Sequence, residues 1–255
     1  MTKQNPTYQS GPRWHGVRLN ISLLCLYLDP GTRTAIDIGS NEGFLTCTLA
    51  ELGVDATGFE QNRHYHDNAR LLRRHYGARA KFENRLVSAA DLDTMEPIDA
   101  ALFLSVHHQI AAATSLDAAN DMLMKLCRKA RKQVFFQPAM ISAKYGCKMP
   151  FADNDFHAIE AYFGNLAAEA GMPYSRNVGI SINDLPKSEP LRPMLVYGRS
   201  PIELRENGRP AELLAKAAAG ASFLTSSSSQ EKAIKQFVPP LLWDVARRLK
   251  RRSSR

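Results

Sequence analysis

Residues 98–106, "IDAALFLSV", are apolar at almost every position. A strand with one buried face alternates apolar and polar side chains. A near-continuous apolar run therefore marks a strand covered on both faces, as in a parallel sheet. That condition constrains the rest of the chain, which must place helices on both sides of the sheet. The sequence supplies them. Strands over 34–38 ("TAIDI"), 55–60 ("DATGFE"), 80–84 ("AKFEN"), 132–138 ("KQVFFQP") and 192–200 ("RPMLVYGRS") alternate with helical patterns over 14–28, 42–53, 62–77, 115–130 and 154–171. Gly53 and Gly77 stop two of those helices. The alternation predicts an α/β protein with a doubly wound, mostly parallel sheet.

The chain has 255 residues, enough for one such domain and a short extension. It falls into residues 1–29, an N-terminal segment expected to form a lid helix carrying Trp14, His15 and Arg18; residues 30–200, the α/β domain; and residues 201–255, a linker and a basic amphipathic C-terminal helix. No apolar run is long enough to cross a membrane, and the first residues lack the apolar centre of a signal peptide. Cys25, Cys47, Cys127 and Cys147 form no CxxC pair, so neither a zinc site nor a disulfide framework is expected. A cytoplasmic location is the expectation, with the C-terminal helix as a means of peripheral contact at the inner face of a membrane. Of the net charge of +8, residues 241–255 carry +5, leaving +3 for the body. So mild a body argues against a protein built to grip nucleic acid.

The turn after the first strand, "IDIGSNEGF", raises the question of a ligand. A dinucleotide fingerprint requires G-x-G-x-x-G, and Asn41 stands where its second glycine belongs. A pyrophosphate at a helix N-terminus is also repelled by nearby carboxylates, and Asp37 and Glu42 both lie here. Two acids suit a cationic ligand instead. Glu60 at the tip of the second strand is placed to accept from ribose hydroxyls, which indicates a nucleoside without choosing between nucleosides.

Taken together, "IDIGSNEGFLT", "GFE" and "IDAALFLSVHHQ" resemble the class I, Rossmann-like S-adenosylmethionine-dependent methyltransferases over roughly residues 30–200. The resemblance implies a seven-stranded sheet with its last strand antiparallel, "MLVYGRS" being that strand or its neighbour, and S-adenosyl-L-methionine as cofactor. It implies that Asp37, Gly39, Ser40, Asn41, Gly43 and Phe44 line the methionine end, that Glu60 binds the ribose, that Asn84 lies near the adenine beside Arg85, and that Ser105 borders the cofactor.

The carboxyl ends of strands carry the site in such sheets. His107 and His108 follow the fourth strand, where the methyl group meets its acceptor. Either a base that deprotonates an attacking hydroxyl or a pocket-shaping role suits them. His64, His66 and His75 are expected on a solvated helix face, and Gln137, Tyr145 and Lys148 near the acceptor. No N/D-P-P-Y/F motif and no cysteine sits at that strand end, which argues against nucleobase N-methylation and a cysteine-nucleophile mechanism. No Asp-Asp-Asn trio for a divalent metal is evident. The expected reaction is methyl transfer to a hydroxyl-type acceptor, a small molecule or a glycan of surface-polysaccharide or lipid-linked type. The alternatives are an RNA methyltransferase using the basic tail and a natural-product O-methyltransferase. In the tail, Val238, Leu241, Leu242, Val245 and Leu249 form an apolar stripe beside Trp243, with Arg247, Arg248, Arg251 and Arg252 flanking it. Oligomeric state is left open by the sequence.

Overall fold

The computed structural model describes residues 14–140, 146, 148–182 and 191–204. Seven strands form one sheet in the order β3-β2-β1-β4-β5-β7-β6. They are β1 (Thr34–Ile38), β2 (Asp55–Phe59), β3 (Lys81–Glu83), β4 (Ile98–Leu104), β5 (Ala130–Gln137), β6 (Tyr174–Ile182) and β7 (Leu191–Gly198). β1 to β5 pair in parallel, and β7 runs antiparallel to both β5 and β6. "MLVYGRS" thus belongs to the reversed strand. The helices are α1 (Trp14–Tyr27), α2 (Phe44–Glu51), α3 (Arg63–Tyr76), α4 (Ala89–Thr94), α5 (His107–Ala113), α6 (Leu116–Lys129) and α7 (Phe156–Glu169).

The two faces of β4 explain why its sequence is so apolar. Ala101 and Phe103 pack with Phe136, Leu123, Leu126 and Phe163 under α6 and α7. Ala100 and Leu102 pack on the opposite face with Leu24, Leu28, Leu49 and Leu52 of α1 and α2 and the residues that follow them. From Ala100 to Phe103 the side chains alternate between two cores, the period-two consequence of strand geometry, while Asp99 accepts from the Arg33 and Thr34 N–H groups at the start of β1. Burying a large side chain such as Leu102 or Phe103 stabilises the fold by roughly 1.5–3 kcal/mol.

Local chemistry sets the helix ends. The side chains of Asn62, Ser115 and Asp155 accept from the backbone N–H of His64, Ala118 and Ala158, capping α3, α6 and α7. Gly77 ends α3 in the left-handed conformation that glycine adopts without penalty.

The N-terminal helix packs as a structural layer on the sheet. Gln133, near the start of β5, donates from Nε2 to the Tyr27 carbonyl at 3.0 Å and accepts from the Asp29 N–H at 2.7 Å. At the other end of β5, Gln137 Nε2 donates to Asn20 Oδ1 at 3.4 Å. α1 therefore runs antiparallel to β5, with its N-terminal end at the carboxyl edge of the sheet. Residues 1–13, Cys147 and the whole segment 205–255, including the expected amphipathic tail, lie outside the described residues. Tyr145 does as well.

Candidate active site

The glycine turn is a run of left-handed residues: Gly39 at φ 73°, Asn41 at φ 52° and Gly43 at φ 80°. A Cβ on Gly39 would lie 2.5 Å from Val106 Cγ2, and one on Gly43 would lie 2.5 Å from Phe82 Cζ. Both glycines are thus required by conformation and by space together. Asn is among the few other residues that tolerate the left-handed region, which explains Asn41 in a position that glycine would also suit. The Gly39 and Ser40 N–H groups donate to the Phe59 carbonyl at 2.9 and 3.0 Å, so the loop is tied to the end of β2.

Glu60 completes that tie. Its Oε2 accepts from the Asn41 N–H at 3.0 Å and its Oε1 from the Asn62 N–H at 2.7 Å. Each carboxylate oxygen retains capacity for a further donor. Asn84 Nδ2 donates to the Glu60 and Gln61 carbonyls, holding the segment after β3 against the same strand end. Asp37 is 3% exposed on β1, and its Oδ2 accepts from Thr46 Oγ1 at 2.7 Å. Burial pushes its carboxyl up to about 6; the Thr46 hydroxyl opposes that shift and the Glu60 charge adds to it.

Two expected roles change. Ser40 Oγ is buried over Gly58 beside Thr46, with no hydrogen-bond partner among the described residues, so Ser40 serves this loop through its backbone. Glu42 accepts from Asn68 Nδ2 at 3.3 Å, which draws it toward α3. Phe44 opens α2 directly after Gly43. His64 and His75 are exposed as expected, but His66 is 9% exposed and is corrected to a packed residue of α3, with Nδ1 3.5 Å from Asp67 Oδ1.

The larger correction concerns His107 and His108. β4 ends at Leu104, and Ser105, at φ 60°, redirects the chain. The two histidines become the first turn of α5, both with no exposed surface. The His107 ring lies edge-on among Phe103, Phe136 and Phe163, with centroids 6.3, 5.7 and 5.0 Å away. Its Nε2 lies 3.0 Å from Asn120 Oδ1, and Asn120 Nδ2 donates to the Tyr162 hydroxyl at 2.7 Å, which fixes the amide orientation. Nε2–H is therefore the donor. Burial holds the imidazole at about 4, against a smaller upward effect from Asn120. His107 is a neutral core histidine joining α5, α6 and α7, with no exposed surface. The buried face of α5 is His107, His108 and Ala111, which the apolar spacing of Val106, Ile110 and Ala113 does not pick out.

Polar residues from four elements meet where the histidines were expected. Ser105 Oγ donates to Gln137 Oε1 at 2.8 Å and accepts from Arg192 at 2.7 Å, and Gln109 Nε2 donates to the Ser105 carbonyl at 2.8 Å. Gln137 was expected near the acceptor; Arg192, Asn20 and Gln109 were not.

No protein-family model and none of the curated proteins searched matches the chain. Solved structures do. The 2.2 Å crystal structure of WbdD superposes with a TM-score of 0.58 over 76% of this chain at 20% identity. A second WbdD structure, described as a bifunctional kinase-methyltransferase, gives 0.55. Magnesium protoporphyrin IX methyltransferase (ChlM) from Synechocystis PCC 6803, with bound S-adenosylhomocysteine, gives 0.51 over 72% of this chain and 84% of its own, at 15% identity. The chain has the class I methyltransferase fold. It spans 44% of the WbdD chain. Within this methyltransferase fold, the glycine turn, Glu60 and the Ser105 turn all sit along the carboxyl edge of the sheet.

Proposed function

We propose that the chain is an S-adenosylmethionine-dependent methyltransferase acting on an oxygen acceptor of small-molecule or glycan type. The observation that carries the cofactor reading is the Asn41 N–H to Glu60 bond. It closes a left-handed loop beside the buried Asp37, so that two carboxylates lie at the carboxyl ends of the neighbouring strands β1 and β2. Such a pair favours a ligand with cationic centres and a ribose, and disfavours a pyrophosphate. The methyltransferase relatives in fold include one bound to S-adenosylmethionine, which supports the same reading.

Asp37, Gly39, Asn41 and Gly43 would hold the methionine portion and Glu60 the ribose. Bound S-adenosylmethionine supplies a methyl group on a sulfonium, which becomes a neutral thioether as the acceptor oxygen takes the methyl. With His107 and His108 enclosed, the chain contributes chiefly through placement of the acceptor in line with the sulfur. The hydroxyl and glycan assignment rests on the sequence: the missing N/D-P-P-Y/F motif and a tail suited to an anionic membrane surface. Peripheral membrane attachment of a cytoplasmic protein belongs to the same proposal.

Calorimetry with S-adenosylmethionine, S-adenosylhomocysteine and NADH tests the cofactor. Binding of NADH alone refutes it. Incubating the full chain with methyl-labelled cofactor and separated glycan, lipid and RNA fractions tests the acceptor. Label in RNA alone overturns the glycan reading.

A further inference from the structure

Ser105 is one of three non-glycine residues with positive φ among the described residues, with Asn41 and Asn154. The other two are asparagines, which accept that conformation readily, whereas serine does so less readily. A strained residue persists only where its surroundings over-determine it. Four bonds do so here. The Ser105 N–H donates to the Gln137 carbonyl at 3.0 Å, its carbonyl accepts from Gln109, its hydroxyl donates to Gln137 Oε1, and that hydroxyl accepts from an Arg192 guanidinium N–H. The Ser105 hydroxyl is thereby fully directed, its proton on Gln137 and a lone pair on Arg192.

The strain has a geometric result. Val106, the next residue, presses against Gly39 so closely that no Cβ fits there. The conformation of Ser105 thus sets where the turn after β4 meets the cofactor loop after β1. Arg192 reaches this turn because β7 is reversed, which brings its first residues to the edge where β4 and β5 end.

We infer that Arg192 is a positioning residue: acting through Ser105, it holds the Ser105–Val106 turn against the glycine loop and so fixes the methyl-donor end of the site. The inference rests on the cofactor reading above for its binding readout. Arg192 has no role in proton transfer. Its guanidinium locks a hydroxyl whose orientation selects the left-handed backbone.

A double-mutant cycle tests this, because glycine adopts the left-handed region freely and removes the need for the lock. Arg192→Leu in the full chain is expected to weaken S-adenosylmethionine binding about tenfold, about 1.4 kcal/mol. In a Ser105→Gly background the same substitution is expected to change affinity less than about twofold. A merely structural Arg192 would show equal effects in both backgrounds, and that result overturns the proposal. Should Arg192→Leu fail to fold, Arg192→Gln carries the same cycle with the same refuting result. If the unmodified chain binds no S-adenosylmethionine, the cofactor reading fails. The inference is then judged by hydrogen exchange of the 106–110 amides without ligand. Exchange accelerated by Arg192→Leu and restored by Ser105→Gly supports it; unchanged exchange in Arg192→Leu overturns it.

Discussion

Replacing Thr46 by Val removes one hydroxyl, and its effect is expected in the pH dependence of cofactor binding. Thr46 is fully buried, and its hydroxyl makes the 2.7 Å bond to Asp37 Oδ2. That bond works against burial, which has already raised the carboxyl to about 6 from its ordinary 3.8. A hydrogen bond to a charged group contributes about 1.5–3 kcal/mol. At 1.36 kcal/mol per unit, its loss moves Asp37 up by about 1–2 units, to about 7–8. A cationic ligand binds the ionised carboxylate. In the wild type, affinity for S-adenosylmethionine should be flat above about pH 7 and weaken below about pH 6. In Thr46→Val the weakening should begin about 1–2 units higher, with a loss of several-fold at pH 7. Without ligand the sign reverses. A raised carboxyl contributes stability that is complete below its unfolded value of about 3.8 and is lost as pH rises through about 6, by about 3 kcal/mol. Titration calorimetry from pH 5.5 to 8.5 on both proteins decides it. An unmoved midpoint refutes the assigned role of the Thr46 bond.

Three other outcomes follow from the same geometry. Gly39→Ala should abolish cofactor binding and destabilise the fold by about 1–3 kcal/mol, and Val106→Ala should partly restore the fold; denaturant melts and calorimetry read both. The depressed His107 favours its neutral folded form, so its contribution falls away as pH drops from about 6.5 to about 4, by up to about 3 kcal/mol. His107→Phe should flatten that part of the stability profile in urea melts while leaving S-adenosylmethionine affinity near the wild-type value. Deleting residues 237–255 should release the protein from anionic vesicles in a flotation assay without altering cofactor affinity; retained flotation refutes the tail's role.

Much of the sheet was legible because buried parallel strands advertise themselves. β1, β2, β4 and β5 are apolar runs between turn residues, and each lies within a residue or two of its expected bounds. β6 was not seen. Tyr174 and Ile180 are exposed on this edge strand, and its polar alternation resembles loop composition. The loop and strand end proposed to hold the cofactor were readable from local spacing, since Asp37, Gly39, Gly43 and Glu60 lie within 24 residues of one another. The opposite side was not, because Ser105 and Arg192 are 87 positions apart and meet only through strand reversal. His107 and His108 misled for a related reason. Their position in sequence marks the strand end, but one left-handed serine turns their side chains into the core.

The paired glutamines of β5 give α1 a fixed length. Gln133 grips it at Tyr27 and Gln137 at Asn20, seven helical residues apart, against four residues of strand. Seven helical residues rise about 10.5 Å and four strand residues span about 13 Å. The helix is thus a strut cut to the span between two brackets. Adding or removing one residue between Asn20 and Tyr27 would swing one end about 100° off its bracket. An insertion or deletion between Asn20 and Tyr27 would therefore cost the helix one of its two brackets on β5.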